Sequence, residues 1–160
     1  MSKINMSVHI ERPIEEVFSA FTDVRTQPQW DPGLLEGRHE PDGPAQLGTK
    51  ITEVRKFVGR VSENSSELIE FEANRKIVRK GTNGPMTLTG IVTFTQTDSG
   101  TQVDWIWVIE LAGVLSLMAP IMTPQFKKNA EPILGNLKQI LENGTFKPLN
   151  EQAMGISFNN

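Results

Sequence analysis

The chain of 160 residues contains no cysteine and no tyrosine, and only two histidines. Without cysteine it can form no disulfide, carries no thiol nucleophile and offers no Cys-ligated zinc, a composition that fits a reducing compartment. His9 and His39 lack a neighbouring nucleophile or a matching carboxylate pattern, so neither reads as a general base, and no metal site or cofactor is expected. Strand alternation sets His9 on the solvent side, and His39 falls just before the turn that starts at Pro41. Charge of one sign is also scarce: a formal net charge of −3 gives no general attraction to nucleic acid or to an anionic membrane. The basic pairs Arg55-Lys56, Arg79-Lys80 and Lys127-Lys128 are short and scattered, and read as solvated faces. No segment reaches the ~18 apolar residues of a membrane span, since the longest apolar region, Leu111 to Met122, is broken by Gly113, Ser116 and Pro120. The first residues do not form the apolar run of a signal peptide, and a cytoplasmic protein is expected. Gly81-x-x-Gly84 has neither the lysine nor the following helix of a phosphate loop.

What is present is a clear order of periodicities. Ile4, Met6, Val8 and Ile10 alternate as a strand that runs into Pro13, Glu15 and Glu16, the signature of a helix start. Val17, Phe18 and Phe21 give that helix an apolar stripe, and a second short helical turn ends at Trp30. A short strand is expected at about Leu34 to Glu40, and others at Thr49 to Phe57, Glu67 to Glu72, Lys76 to Arg79, Met86 to Thr97 and Gln102 to Leu111. Turns at Val58-Gly59, Ala73-Asn74, Thr82 to Pro85 and Asp98 to Gly100 join them, which implies an antiparallel meander with one wet face. From Val114 to Asn143 the spacing changes to threes and fours, predicting a long helix whose regular part begins near Pro124 and kinks one turn before Pro132. Residues 1–144 read as one domain and 145–160 as a flexible tail.

The opening Ile10-Glu11-Arg12-Pro13-Ile14-Glu15-Glu16-Val17-Phe18 with Pro28-Gln29-Trp30-Asp31-Pro32 resembles the polyketide cyclase/dehydrase and lipid-transfer superfamily. Glu67 to Ile77, the pair Gly90-Ile91-Val92-Thr93-Phe94 and Gly100 to Trp105, and Leu134 to Glu142 are similar to that superfamily in the same order. The resemblance implies an α+β helix-grip fold, as in the birch pollen allergen and the steroidogenic lipid-transfer domains. Such a fold has six or seven antiparallel strands wrapped around a long C-terminal helix, with two short helices after the first strand. It also implies a cavity between sheet and helix for a small apolar partner such as a lipid, quinone or polyketide. Members that close polyketide rings lean on tyrosine, which this chain lacks, so catalysis, simple binding and a protein-interaction role all remain open.

Residue by residue, the expected cavity lining is Met86 and Leu88 on one strand, Trp105, Trp107 and Ile109 on the next, and Met118, Met122 and Phe126 on the helix. Gln125 and Asn129, four apart at the edge of the apolar stripe, are candidates to orient a ligand oxygen. Glu53 and Arg55 share a strand face and Arg79 lies mid-strand; an outward surface pair is expected for the first two, because a buried Arg or Glu requires a partner. Asp23 and Asp31 read as caps, and Trp30 as a plug between helix and sheet.

Overall fold

The computed structural model describes residues 1–57 and 59–149. In chain order these form β1 (Ser2–Ile10), α1 (Ile14–Thr22), a 3-10 turn (Gln27–Gln29), β2 (Leu34–Glu40), β3 (Lys50–Phe57), β4 (Arg60–Glu72), β5 (Lys76–Asn83), β6 (Met86–Gln96), β7 (Thr101–Leu111), a 3-10 segment (Gly113–Met118) and α2 (Ala119–Glu142). The seven strands make one sheet in the order β1-β7-β6-β5-β4-β3-β2, with each neighbouring pair antiparallel. Six consecutive strands thus form a meander, and β1 closes onto β7 beside it. Two tight connections use left-handed residues, Asn74 at φ 59° and Gly84 at φ 58°, where turn chemistry favours Asn and Gly.

α1 begins behind Pro13 with Glu15 and Glu16 in its first turn, and buries Ile14, Val17, Phe18, Ala20 and Phe21. Its aromatic rings seal one end of the concave sheet face. Phe18 meets Phe94 and Phe71 edge-on at 5.0 and 5.5 Å between ring centres, and Phe21 meets Trp105 at 5.0 Å and Trp30 at 5.4 Å. Edge-to-face pairs at these separations add to the stabilisation from area alone. Trp30 is fully buried in this cluster, as a plug should be.

α2 runs parallel to β1. Near its start Thr123 Oγ1 donates to Ser2 Oγ at 3.1 Å, and in its last turns Lys138 Nζ donates to the His9 carbonyl at 2.6 Å. Helix and strand advance between those contacts by roughly 22 and 23 Å, so the two stay in step. The second half of α2 is buried at Ala130, Ile133, Leu134, Leu137 and Leu141. The whole is a helix-grip fold: an open antiparallel sheet with a long C-terminal helix and a short helix after the first strand.

Several expectations are corrected. β4 is longer than the alternating run from Glu67 to Glu72: it starts at Arg60, directly after the expected turn, and pairs with all of β3. Its first half, Arg60 to Ser66, is polar apart from the exposed Val61 and shows no alternation. α2 starts at Ala119 because Pro120 occupies the first turn, where a missing N–H has no cost, and Pro124 lies inside the helix. The chain beyond Gly144 does not leave the domain at once. The Gln29 side chain donates to the Lys147 carbonyl and accepts from its N–H, at 2.7 and 3.0 Å, and Phe146 packs on the core. Residues 150–160 of the expected tail, and Val58 of the expected Val58-Gly59 turn, lie outside the described residues. Among those described, no helix is long and apolar enough to cross a membrane.

Candidate functional site

The inward face of β3 reads Ile51, Glu53, Arg55, Phe57: an apolar residue at each end and two charges between. Ile51 is buried in the core and Phe57 stacks on Phe126 of α2 at 5.5 Å. The alternation therefore forces Glu53 and Arg55 inward, against the expected outward pair. Glu53 is only 7% exposed. Its carboxylate lies between two guanidiniums: Arg55 Nη2 donates to Oε2 at 2.6 Å, and Arg79 Nη2 of β5 donates to Oε1. Arg55 also grips Asp31 with both Nη atoms, at 3.2 and 2.9 Å. Asp31 in turn accepts from Gln27 Nε2 at 2.9 Å and, as expected of a cap, from the Gly33 N–H at 3.2 Å, and it is also the anchor of a buried ion network.

These contacts fix the charge states. Burial works to raise the Glu53 carboxyl, but the charges of Arg79 and Arg55 and their hydrogen bonds outweigh it and hold it below the ordinary carboxylate value. Burial works to lower the Arg55 guanidinium, and the attraction of Glu53 and Asp31 outweighs that and raises it. Glu53 and Arg55 thus stay ionised near neutral pH. Two carboxylates balance two guanidiniums, as a buried network requires. Among the described residues Arg79 bonds to Glu53 alone, so its remaining N–H groups are uncommitted.

Register places Arg79 opposite Gly90 of β6, and Gly90 opposite Trp107 of β7. With no side chain in the middle of this row, a notch in the side-chain layer lies between Arg79 and Trp107 on the inner face, partly filled by the Trp105 indole. Adjacent strands are ~4.8 Å apart, which puts its walls roughly 10 Å from each other. One wall carries a cation, the other an indole. Trp105 Nε1 reaches to 3.3 Å from where a Gly90 Cβ would stand, and the Trp105 and Trp107 rings meet nearly perpendicular at 5.3 Å. Beside the notch, Leu88 pairs with Ile109 and Met86 with Leu111. Met86, Leu88, Trp107, Met122 and Phe126 are half-buried, so water still reaches this half of the concave face, whereas Trp105 and Ile109 are buried.

Of the expected lining, then, the strand residues Met86, Leu88, Trp105, Trp107 and Ile109 and the helix residues Met122 and Phe126 face the interior. Met118, Gln125 and Asn129 do not: all three are exposed, because the stripe that faces the sheet passes through Met122, Phe126 and Ala130 and leaves its edges in water. Neither histidine joins the site. His39 is buried and structural, accepting from the Val24 N–H at 3.2 Å while its Nδ1 contacts the Gly43 carbonyl at 2.8 Å. His9 is half-buried, not solvated, with Nε2 at 2.8 Å from Thr97 Oγ1. Among the described residues clefts lie elsewhere, one of about 310 Å³ between Glu11–Glu15 and Gln96–Gly100 and one of about 1000 Å³ at the α1 end, between α1, Phe71, Asn74 and Phe146. Neither touches the charged network or any expected lining residue. Among the described residues no group of His, Asp or Glu is arranged to hold a metal ion. Reading Glu53 and Arg55 as inward was within reach of the sequence: Ile51 and Phe57 on the same parity mark their face as the core side.

The model of the family "Polyketide cyclase / dehydrase and lipid transport" matches residues 1–142. Among solved structures, TTHA0849 from Thermus thermophilus superimposes with a TM-score of 0.75 at 16% identity, covering 90% of this chain and 99% of that one. The di-domain ARO/CYC BexL from the BE-7585A biosynthetic pathway gives 0.71 at 17% identity, over 86% of this chain and 49% of its own. Ara h 8.0201 gives 0.66 at 12% identity, over 86% and 95%. At these identities the likeness is one of fold. Among curated proteins none matches the sequence. With one sheet, one gripping helix and a family match over residues 1–142, the chain belongs to the polyketide cyclase / dehydrase and lipid transport family.

Proposed function

We propose that this protein binds a small, mostly apolar molecule that carries one acceptor oxygen, seated in the half-open part of the concave face. Leu88, Trp107, Ile109, Met122 and Phe126 cover the apolar body, and Arg79 donates to a carbonyl, carboxylate or phenolate oxygen above Gly90. The observation that carries this reading is the uncommitted guanidinium of Arg79 beside a side-chain-free position and half-buried aromatic walls. Apolar burial supplies affinity at about 25 cal/mol per Å², and the charge-assisted hydrogen bond supplies orientation.

A second reading, ring closure or dehydration of a polyketide in the same notch, draws on the family description and on the likeness to the aromatase/cyclase BexL. Glu53 is held ionised between two guanidiniums and has no proton to give near neutral pH. Both its oxygens are engaged and its basicity is lowered, so binding is the reading the site chemistry favours. The test is native mass spectrometry of the purified protein with organic extraction of anything retained, repeated on Arg79→Met. A co-purifying apolar molecule that Arg79→Met retains less well supports the reading. A protein that is empty and also fails to bind fatty acids, quinones and polyketide analogues rejects it.

A further inference from the structure

The C-terminal helical region carries two apolar faces. One, from Met122 to Leu141, turns to the sheet. The other is Val114, Leu117 and Ile121, which are 84%, 75% and 69% exposed, with Met118 at its edge at 42%. In a 3-10 segment residues three apart eclipse, so Val114 and Leu117 stack, and one α-helical turn later Ile121 continues the line. At 100° per residue Ile121 lies roughly opposite Phe126. Farther along, the same outward line passes through Gln125 and Lys128, and the helix becomes an ordinary amphipathic one. Only its start turns large aliphatic side chains to water as well as to the sheet, a pattern that belongs to a covered helix.

The charge pattern says what covers it. The chain has a net charge of −3, yet no Asp or Glu occurs between Glu110 and Glu131, and that stretch holds Lys127 and Lys128, both exposed. A narrow aliphatic stripe that ends in cations is the arrangement of a segment lying in the interface of an anionic bilayer. A protein partner fits less well. The four side chains expose on the order of 500 Å², short of the ~800 Å² per partner in a stable protein interface.

We propose that Val114, Leu117 and Ile121 insert into an anionic phospholipid surface, with Lys127 and Lys128 at the headgroups, and dock the protein on membranes peripherally. This goes beyond ligand binding, and the stripe shares no residue with the notch around Gly90. The test is flotation of the full chain with phosphatidylcholine vesicles, with and without about one-third phosphatidylserine. The protein should float with the anionic vesicles, and less so as salt rises. Leu117→Ser with Ile121→Ser should weaken flotation at least about tenfold, with unchanged circular dichroism and unchanged ligand retention by native mass spectrometry. Lys127→Ala with Lys128→Ala should weaken it on the anionic vesicles. No flotation with either vesicle, or flotation indifferent to the serine pair, overturns the proposal. A dimer in light scattering that the serine pair abolishes overturns it in favour of a second copy of the chain. Because ligand retention is read separately, failure here leaves the notch reading standing.

Discussion

Replacing Glu53 by Leu should destabilise the fold by about 3 kcal/mol, as expected when one partner of a buried ion pair is removed. The substitution strands the Arg79 guanidinium, whose side chain is only 25% exposed and whose contact among the described residues is Glu53. Deleting one partner of such a pair costs about 3–5 kcal/mol. The lower end applies here for two reasons: both guanidinium side chains keep a quarter of their surface in water, and Arg55 retains its two bonds to Asp31. Urea unfolding followed by tryptophan fluorescence reads the change, since Trp30 and Trp105 sit in the core. In heat the same loss corresponds to a melting temperature lower by roughly 6–12 °C for a chain of this size. The control is the double variant Glu53→Leu with Arg79→Met, which removes both charges and should recover at least half of the loss. A loss below about 1 kcal/mol for Glu53→Leu, in the range of a solvated surface pair, would refute the claim that this network is buried and mutually dependent.

Two further outcomes can be read by unfolding. Because the folded state holds the Glu53 carboxyl below its ordinary value of 4.5, its stabilisation is fully present above that value and is lost as pH falls through the depressed one. The stability gap between wild type and Glu53→Gln, measured by urea unfolding, should be constant from neutral pH down to the ordinary carboxylate range and close in more acidic solution. A gap that widened in acid would reverse the sign of the argument. Gly37→Ala should cost about 1–3 kcal/mol, the range for forcing atoms into a packed site: an added Cβ would stand 2.2 Å from the Val24 carbonyl oxygen, where β2 passes the chain after α1. Chemical denaturation checks this, and an unchanged midpoint would mean that β2 can move away freely.

The fold was legible because its punctuation is local. Pro13 with Glu15 and Glu16, Asn74, Gly84 and the Asp98 to Gly100 turn each fix a boundary through their own backbone preferences, and the meander follows from short connections. The first half of β4 was not legible, since Arg60 to Ser66 owes its strand conformation to pairing with β3 and not to any burial pattern of its own. The inward face of β6 and β7 could be read from alternation alone. The charged network could not be read as a unit. Parity with Ile51 and Phe57 marks Glu53 and Arg55 as inward, but the groups that bury them, Asp31 and Arg79, come from positions 24 residues before Arg55 and 26 after Glu53. On α2 the stripe was clear but its width was not. Gln125 and Asn129 fall just outside the face that the sheet covers, and only the position of α2 over β1 decides that.

The most direct test of the central claim is amide and indole nitrogen NMR during titration with anilinonaphthalene sulfonate, a probe with an apolar body and one anionic head. Binding at the proposed site should shift the indole N–H signals of Trp105 and Trp107 and the amides around Arg79 and Gly90, and Arg79→Met should weaken those shifts. Shifts confined to Phe71, Asn74 and Phe146, the walls of the larger cleft beside α1, would contradict the account and move the ligand site to the other side of that helix.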